Sequence, residues 1–304
     1  MKKILLYICL LFSPIASIGQ WSVGYAGMVF PAATSGSCDA SYLAQTCTYL
    51  LSDSALNALD TTKKRAIDRW FRDINGEANG SYTTYDVSSK LFAVYLMIGG
   101  TSTSVAVNAI NPGTYTLTHN NSPTITTNGI AYTGTAGAAQ YSSTHYTPSN
   151  SNDTTDLVCH GVHRRDSNED LDATIGIADT GNNYHIIRSD NFRSAHIASV
   201  IPLGSAGTLA VNSLWAGSFV KGTPTDTANY YRNGVRIKTL NPATISNSGT
   251  SPFFIGACDD GTSPYIYGGA NTVDHVFLAH GYWGDAEQLF WYNAFNALQT
   301  ALGR

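Results

Sequence analysis

The stretch "YYRNGVRIKTL", residues 230–240, has apolar and aromatic residues on both sides of Asn233-Gly234. A two-residue type I′ turn needs positive φ at both central residues, and Asn-Gly meets that need well. Alternating apolar residues on either side are typical of strands with one buried face. The stretch therefore predicts a β-hairpin with a two-residue turn.

Similar short runs, separated by Gly, Asn and Pro, fill the chain from about residue 91 onward. Examples are "LFAVYLMIGG" at 91–100, "LWAGSFVK" at 214–221 and "DHVFLAHGYW" at 274–283. The stretch "ADTGNNYH" at 178–185 predicts a second, slightly longer hairpin. About a dozen short strands with turns at this spacing predict an all-β, antiparallel two-sheet sandwich.

Two segments have helical spacing. Asp60 is the predicted N-cap of the first helix, whose charged face we expect to be solvated, and Gly76 is its stop. The second, at residues 284–304, is predicted to start from Asp285 as N-cap and to pack on the sandwich edge. The predicted apolar face of the first helix consists of Ala66, Ile67, Trp70, Phe71 and Ile74.

Residues 1–19 have the pattern of a secretory signal peptide: two lysines, an apolar run, Pro14 and small residues before Gln20. We expect cleavage before Gln20 and a secreted or cell-surface location. No later stretch reaches the ~18 uninterrupted apolar residues of a membrane span.

Composition narrows the class of partner. Charged residues make up 12% of the chain and the net charge is -4, which argues against nucleic-acid binding. Four cysteines follow residue 19, and Cys38 with Cys47 could close a short disulfide loop. Cys159 and Cys258 are predicted either to bridge two strands or to remain buried free thiols.

The series "YYRNGVRIKTL", "PFFIGACDDG", "DHVFLAHGYW" and "GDAEQLFWYNAFNAL" resembles the ending of laminin-G-like, concanavalin-A-like jelly-roll domains. With "TTKKRAIDRWFRDI" it is also similar to a group of uncharacterised bacterial and phage proteins. The resemblance runs from about residue 59 to the end. It implies a jelly-roll sandwich at 89–304, preceded by an amphipathic helix and linker at 59–88, while the N-terminal segment at 20–58 lies outside the resemblance.

No catalytic residues are predicted. Glycosidases of the resembled superfamily carry closely spaced glutamates on one strand, whereas Glu77, Glu169 and Glu287 lie in unrelated contexts. Aspartates meeting across the fold stay an alternative. His160 and His163 should face opposite sides of a strand and so not share a metal.

Calcium is the one predicted cofactor. The resemblance implies a calcium at the sandwich rim, and the predicted rim loops offer hard oxygen ligands. The alternative is that these residues only form turns. The candidate ligands are Asp179, Asn182, Asp259 and Asp260.

Aromatic residues beside Asn and Asp suggest a sugar-binding face. The candidates are Trp215, Tyr265 and Tyr267. The alternative is that alternation buries about half of the aromatic residues in the core.

These patterns together predict a secreted, non-enzymatic binding or adhesion module that recognises a glycan or a protein at a cell or virion surface. One alternative is an oligomerising structural protein of a phage-type virion surface, and a second is a glycan-degrading hydrolase. The ligand, the oligomeric state and the cellular or phage origin stay open.

Overall fold

A computed structural model gives the fold. The chain divides into two compact units, residues 1–30 and 31–304, and everything described below belongs to the second. The predicted signal peptide at 1–19 lies outside the described residues. The structure describes residues 38–77, 85–133, 139–147, 159–165, 173–177, 185–188, 192–194, 212–220, 227–241, 252–259, 264–265 and 271–304.

Within these ranges, helices flank a series of short strands. The helices are α1 Ala44–Leu51, α2 Ser54–Asn57, α3 Thr61–Ile74 and α4 Asp285–Ala301. The strands are β1 Leu91–Tyr95, β2 Thr118–Asn120, β3 Thr124–Thr126, β4 Gly129–Tyr132, β5 Tyr141–Ser143, β6 Cys159–Arg164, β7 Ala173–Ile177, β8 His185–Arg188, β9 Phe192–Ser194, β10 Ser213–Val220, β11 Thr227–Arg232, β12 Val235–Leu240, β13 Phe254–Ile255, β14 Cys258–Asp259, β15 Pro264–Tyr265 and β16 Asn271–Ala279.

The strands form two large antiparallel sheets and a small hairpin. The larger sheet has the order β12-β11-β10-β6-β16-β4-β3, and β1 also pairs with β16. The smaller sheet has the order β2-β5-β13-β7-β8-β9, and β14 pairs with β15 alone. The predicted all-β, antiparallel two-sheet sandwich with flanking helices is confirmed. None of the helices in the described ranges is long and apolar enough to cross a membrane.

The hairpin predicted from Asn233-Gly234 is present. Asn233 has a φ of 51° and Gly234 a φ of 74°, so both have the positive φ of a type I′ turn. The two-residue loop sets Arg232 opposite Val235. The Asn233 side-chain oxygen accepts a hydrogen bond from the Leu214 amide at 2.9 Å, which ties the turn to β10. β7 and β8 also pair antiparallel, as the second predicted hairpin requires.

Strand alternation produces a core on each face of the larger sheet. Along β16, Val276 and Leu278 join the inner cluster between the two sheets. Phe277 and Ala279 join the outer cluster beneath the helices. Because both faces of this sheet are apolar, both must be covered.

Helix α4 covers the outer face of the larger sheet. The Trp291 ring centroid lies 4.9 Å from that of Phe277, and the Phe295 centroid lies 4.4 Å from that of His275. The prediction that this helix packs on the sandwich edge is therefore wrong. The central strands have an apolar outer face, and α4 buries that face.

The start of α4 also differs from the prediction. Gly284 is the N-cap instead of Asp285, and its amide donates to Glu287 Oε2 at 2.9 Å. Leu289, in the first turns of this helix, is 45% exposed.

Helix α3 begins as predicted, with the Asp60 side chain accepting from the Lys63 amide at 2.9 Å. Its apolar face joins the outer core, where Trp70 lies 5.8 Å from Trp291 between ring centroids. The described helices α1, α2 and α3 therefore share the outer core with the larger sheet.

The charged face of α3 is only partly solvated, contrary to the prediction. Asp68 is buried and accepts from the Leu43 amide at 2.7 Å and from Thr46 Oγ1 at 2.8 Å. Asp73 is also buried, and burial raises its pKa. The reason is that α1, which the sequence analysis did not predict, packs against this helix.

The cysteines follow one of the predicted arrangements. Cys38 and Cys47 form a disulfide, with their Cα atoms 5.7 Å apart. Cys159 is a buried free thiol, so it is not bridged to Cys258. Gln288 Nε2 donates to its sulfur at 3.2 Å, and burial raises the thiol pKa.

Replacing Gly234 tests the link between the turn and α4. A Cβ there would lie 2.8 Å from the Leu289 Cα and 3.0 Å from the Tyr292 Cβ. The matched control is Gly281, which has a similar φ of +67° and nothing within 4 Å.

We expect Gly281→Ala to lower the free energy of unfolding by roughly 1–2 kcal/mol, the cost of a left-handed conformation. Gly234→Ala should cost about 1–3 kcal/mol more, because it also overpacks the contact with α4. Urea unfolding of both variants measures the difference. Equal losses would contradict the close approach.

Candidate functional site

The strands of the larger sheet bring one set of loops to one end of the sandwich. The start of β10 lies against the end of β6, with Ser213 opposite Arg164. The end of β11 lies there too, with Arg232 opposite Trp215, and β16 begins at the same end. We call this the Trp215 end and define it by Arg164, Ser213, Trp215 and Arg232.

The smaller sheet delivers the β14–β15 hairpin to the same end. β13 runs antiparallel to β7, with Ile255 opposite Ile175, so the chain leaves β13 toward the start of β7. Gly256, at φ +83°, then passes the end of β4 so closely that a Cβ would lie 2.5 Å from the Tyr132 ring. The hairpin follows and pairs Cys258 with Tyr265. The backbones of Asp259 and Tyr265 therefore lie at the Trp215 end.

Of the four predicted calcium ligands, Asp259 belongs to the described strands, where its backbone forms part of β14 beside β7.

Several predicted residues are outside the described part of the chain. These are Asp179, Asn182, Asp260 and Tyr267. Within the described ranges, no three His, Cys, Asp or Glu side chains are grouped so that they could hold a metal ion. Calcium binding stays a prediction.

Trp215 does not present an exposed ring. It is 5% exposed and belongs to the core between the sheets, so the expectation of an open aromatic face at this residue needs correction. The cause is strand alternation, which turns Trp215 inward together with Phe219. The guanidinium carbon of its cross-strand neighbour Arg232 lies 5.5 Å from the Trp215 ring centroid.

Arg232 is the functional candidate that sequence reasoning missed. It is half-buried, and in the described part of the chain its guanidinium has neither a hydrogen-bond acceptor nor an ion-pair partner. By contrast, Arg72, Arg165 and Arg236 each pair with a carboxylate, at 2.8, 3.2 and 3.0 Å. The sequence feature that pointed to Arg232 was the Asn-Gly hairpin, because the residue before a two-residue turn has a fixed cross-strand partner.

One cross-strand row passes from solvent into the core. Val235, opposite Arg232 in β12, is 61% exposed. Arg232 is half-buried, Trp215 is almost fully buried, and Val162 in β6 is fully buried. The inner face of the larger sheet thus opens to solvent toward β12 and leaves a shelf formed by Val235, Arg232 and the rim of Trp215.

A serine–histidine pair lies within the smaller sheet, where His119 of β2 is opposite Ser142 of β5. His119 Nε2 lies 3.0 Å from the Ser102 carbonyl, which can only accept, so Nε2 carries the proton. Burial lowers the pKa of His119, so the ring is neutral and its Nδ1 accepts from Ser142 Oγ at 2.7 Å. Ser142 in turn accepts from the Tyr132 hydroxyl at 2.8 Å and is fully buried. Because Tyr132 belongs to β4 of the larger sheet, this last hydrogen bond joins the two sheets.

His160 and His163 face opposite sides of β6, as predicted. The His160 ring lies 5.8 Å from Phe219 in the inner core, and the His163 ring lies 4.8 Å from Phe295 of α4. His163 Nδ1 is 2.5 Å from an oxygen of Asp274, which is fully buried. This pair is enclosed beneath α4 and is structural.

No protein-family model and no curated protein matches the sequence. Among solved structures, the chain is similar to NanB with Optactamide, at 20% identity and a TM-score of 0.31, covering 42% of this chain and 22% of that one. Domain 4 of a GH43 extracellular arabinanase from Geobacillus stearothermophilus, solved with arabinotriose, matches at 12% identity and a TM-score of 0.41, covering 66% and 98%.

A third match is botulinum neurotoxin type C, whose cell entry depends on two ganglioside molecules. It has 11% identity and a TM-score of 0.48, covering 69% of this chain and 52% of that one. The chain thus spans about a fifth of the NanB chain and half of the toxin chain. Likenesses this distant carry no functional conclusion, which has to come from the site itself.

The buried polar residues under α4 predict a pH dependence of stability. Burial lowers the pKa of His275 to about 3, and nearby His163 and Arg304 act in the same direction while Asp274 opposes them. An unfolded histidine titrates near ~6.5. Between those values the unfolded chain binds more protons, so stability present above pH ~6.5 is lost as the pH falls.

We expect His275→Met to flatten the fall in unfolding free energy between about pH 6.5 and 4. The control is Trp291→Phe, which alters the same core beneath α4 without changing a titratable group and should leave the slope unchanged. Urea unfolding across this pH range measures both. An identical slope for His275→Met and the unaltered chain would contradict the neutral buried state.

Proposed function

We propose that this protein is a secreted, non-enzymatic module that binds a glycan at the Trp215 end of its sandwich. The observation that carries the proposal is the Arg232 guanidinium, which is half-buried over Trp215 and has no acceptor among the described residues. It lies beside exposed Val235, at the end where the hairpin containing Tyr265 also lies.

This combination suits a sugar for chemical reasons. Binding sites combine apolar surface with a few precisely placed polar groups, and a guanidinium provides five donors in a fixed plane. The packing of Arg232 on an aromatic ring reduces the freedom that binding would otherwise cost. Sugar hydroxyls and ring oxygens are acceptors of the kind these donors need.

The positions of the reactive groups support a role without catalysis. Ser142 and Asp274, which pair with histidines, are fully buried. Glu77 accepts from Arg72 at 2.8 Å, and Glu287 pairs with Lys90 and caps α4. These carboxylates have structural partners, whereas a glycan hydrolase needs two carboxyl groups facing a cleft.

Secretion is part of the proposal. The pattern of residues 1–19 favours export, and the Cys38–Cys47 disulfide is typical of oxidising compartments. Calcium at the predicted rim loops would be an additional requirement for binding, which chelation tests.

A structural, oligomer-forming role is the second candidate. It is favoured by the exposed apolar residues Val235, Ile237 and Leu289, since β12 is the last strand of the larger sheet in the described ranges. Exposed strand edges pair readily with other chains. Assembly of purified protein into a defined oligomer by sedimentation, without glycan binding, would favour this candidate.

A glycan array with the purified protein tests the proposed function, with and without a calcium chelator. We expect saturable binding to a restricted set of glycans. Arg232→Gln should weaken this binding at least about tenfold, because it removes a charged hydrogen bond. Arg65→Gln, at an exposed arginine on α3, should leave binding unchanged.

Product analysis on the same glycans checks the non-enzymatic part of the proposal. Intact glycans after long incubation are expected. Cleavage products would overturn the assignment as a binding module, and silence on every glycan would shift it to the structural candidate.

A further inference from the structure

We infer that the glycan bound at the Trp215 end carries an anionic group, a carboxylate or a sulfate ester, that pairs with Arg232. This inference rests on the proposed function and adds the chemical class of the ligand. Its basis is the Arg232 charge, which is half-buried over the Trp215 ring and has no acceptor among the described residues.

A half-buried cation loses part of its hydration, and a neighbouring carboxylate ordinarily compensates for that loss. Arg72 is compensated by Asp68 and Arg165 by Asp274, at 2.8 and 3.2 Å. Arg232 is half-buried too, but its contact is with the Trp215 ring, which attracts the cation without satisfying its N–H groups. The site therefore has a charge that an anion would compensate.

The Arg232 guanidinium has five N–H donors in one plane, and the Trp215 ring accepts none of them as a conventional hydrogen bond. Paired donors in one plane match the two oxygens of a carboxylate or two oxygens of a sulfate. A neutral hydroxyl can accept from these donors but leaves the charge uncompensated.

Exposed Val235 is available to the rest of the ligand. The strand pairing sets Val235 directly opposite Arg232, and Val235 is 61% exposed. An acidic sugar whose charged group lies on Arg232 would therefore have the apolar Val235 side chain next to its C–H face. The two-residue turn fixes the spacing between the cationic and the apolar part of the shelf.

The test compares ligands that differ only in charge. Oligogalacturonate supplies carboxylates, its methyl ester is the neutral match, and a sulfated galactan with its desulfated form makes a second pair. Calorimetric titration gives the Kd of each for the unaltered protein and for Arg232→Gln, Arg232→Lys and the control Arg65→Gln.

We expect at least one charged ligand to bind about 10- to 100-fold more tightly than its neutral match, which corresponds to one charge-assisted hydrogen-bond pair. Arg232→Gln should abolish that difference. Arg232→Lys should keep only part of it, because lysine lacks the planar fork. Which pair shows the difference identifies the anion.

The outcomes separate this inference from the proposed function. Binding of neutral and charged ligands with equal Kd, or an unchanged charge preference in Arg232→Gln, would overturn the anionic ligand while leaving glycan binding intact. No binding to any of these glycans or to the array would overturn both. Thermal melting reports whether Arg232→Gln folds. If it does not, Arg232→Lys and the methyl-ester comparison on the unaltered protein still decide the question.

Discussion

The two-residue turn at Asn233-Gly234, held against α4, is the constraint on which the binding end depends. The turn fixes the register of β12 against β11, and the Asn233 side chain ties it to the start of β10. Gly234 leaves no space for a side chain beneath the helix. A register shift of one residue would turn Arg232 and Val235 to the other face of the sheet. The shelf at the Trp215 end is thus a consequence of backbone geometry.

The position of α4 explains why one end of the sandwich is left for binding. The larger sheet has a core on both faces, so its central strands have no exposed face of their own. The hydrogen bonds of Ser142 and Asp274 lie in the interior, where both side chains have structural partners. Along the row from Val162 to Val235, exposure increases toward β12, the last strand of the larger sheet in the described ranges.

The sequence predicted those features that depend on neighbours along the chain. The Asn-Gly hairpin, the Asp60 cap, the opposite facing of His160 and His163, and the sandwich class all follow from local periodicity. Features set by distant packing were missed or wrong. The burial of Asp68 depends on α1, and the pairing of Arg232 with Trp215 depends on the exact register of β10 against β11. Composition cannot convey either.

The most direct test of the Arg232 site is an NMR titration that follows the arginine Nε–H signals of the ¹⁵N-labelled protein during addition of oligogalacturonate and, separately, of the sulfated galactan. Arg232→Lys identifies the Arg232 signal by its loss. With the ligand that binds, we expect the Arg232 signal to shift and saturate while that of Arg72, already paired with Asp68, stays in place. Saturable binding that leaves the Arg232 signal unmoved would contradict the site proposed for this protein.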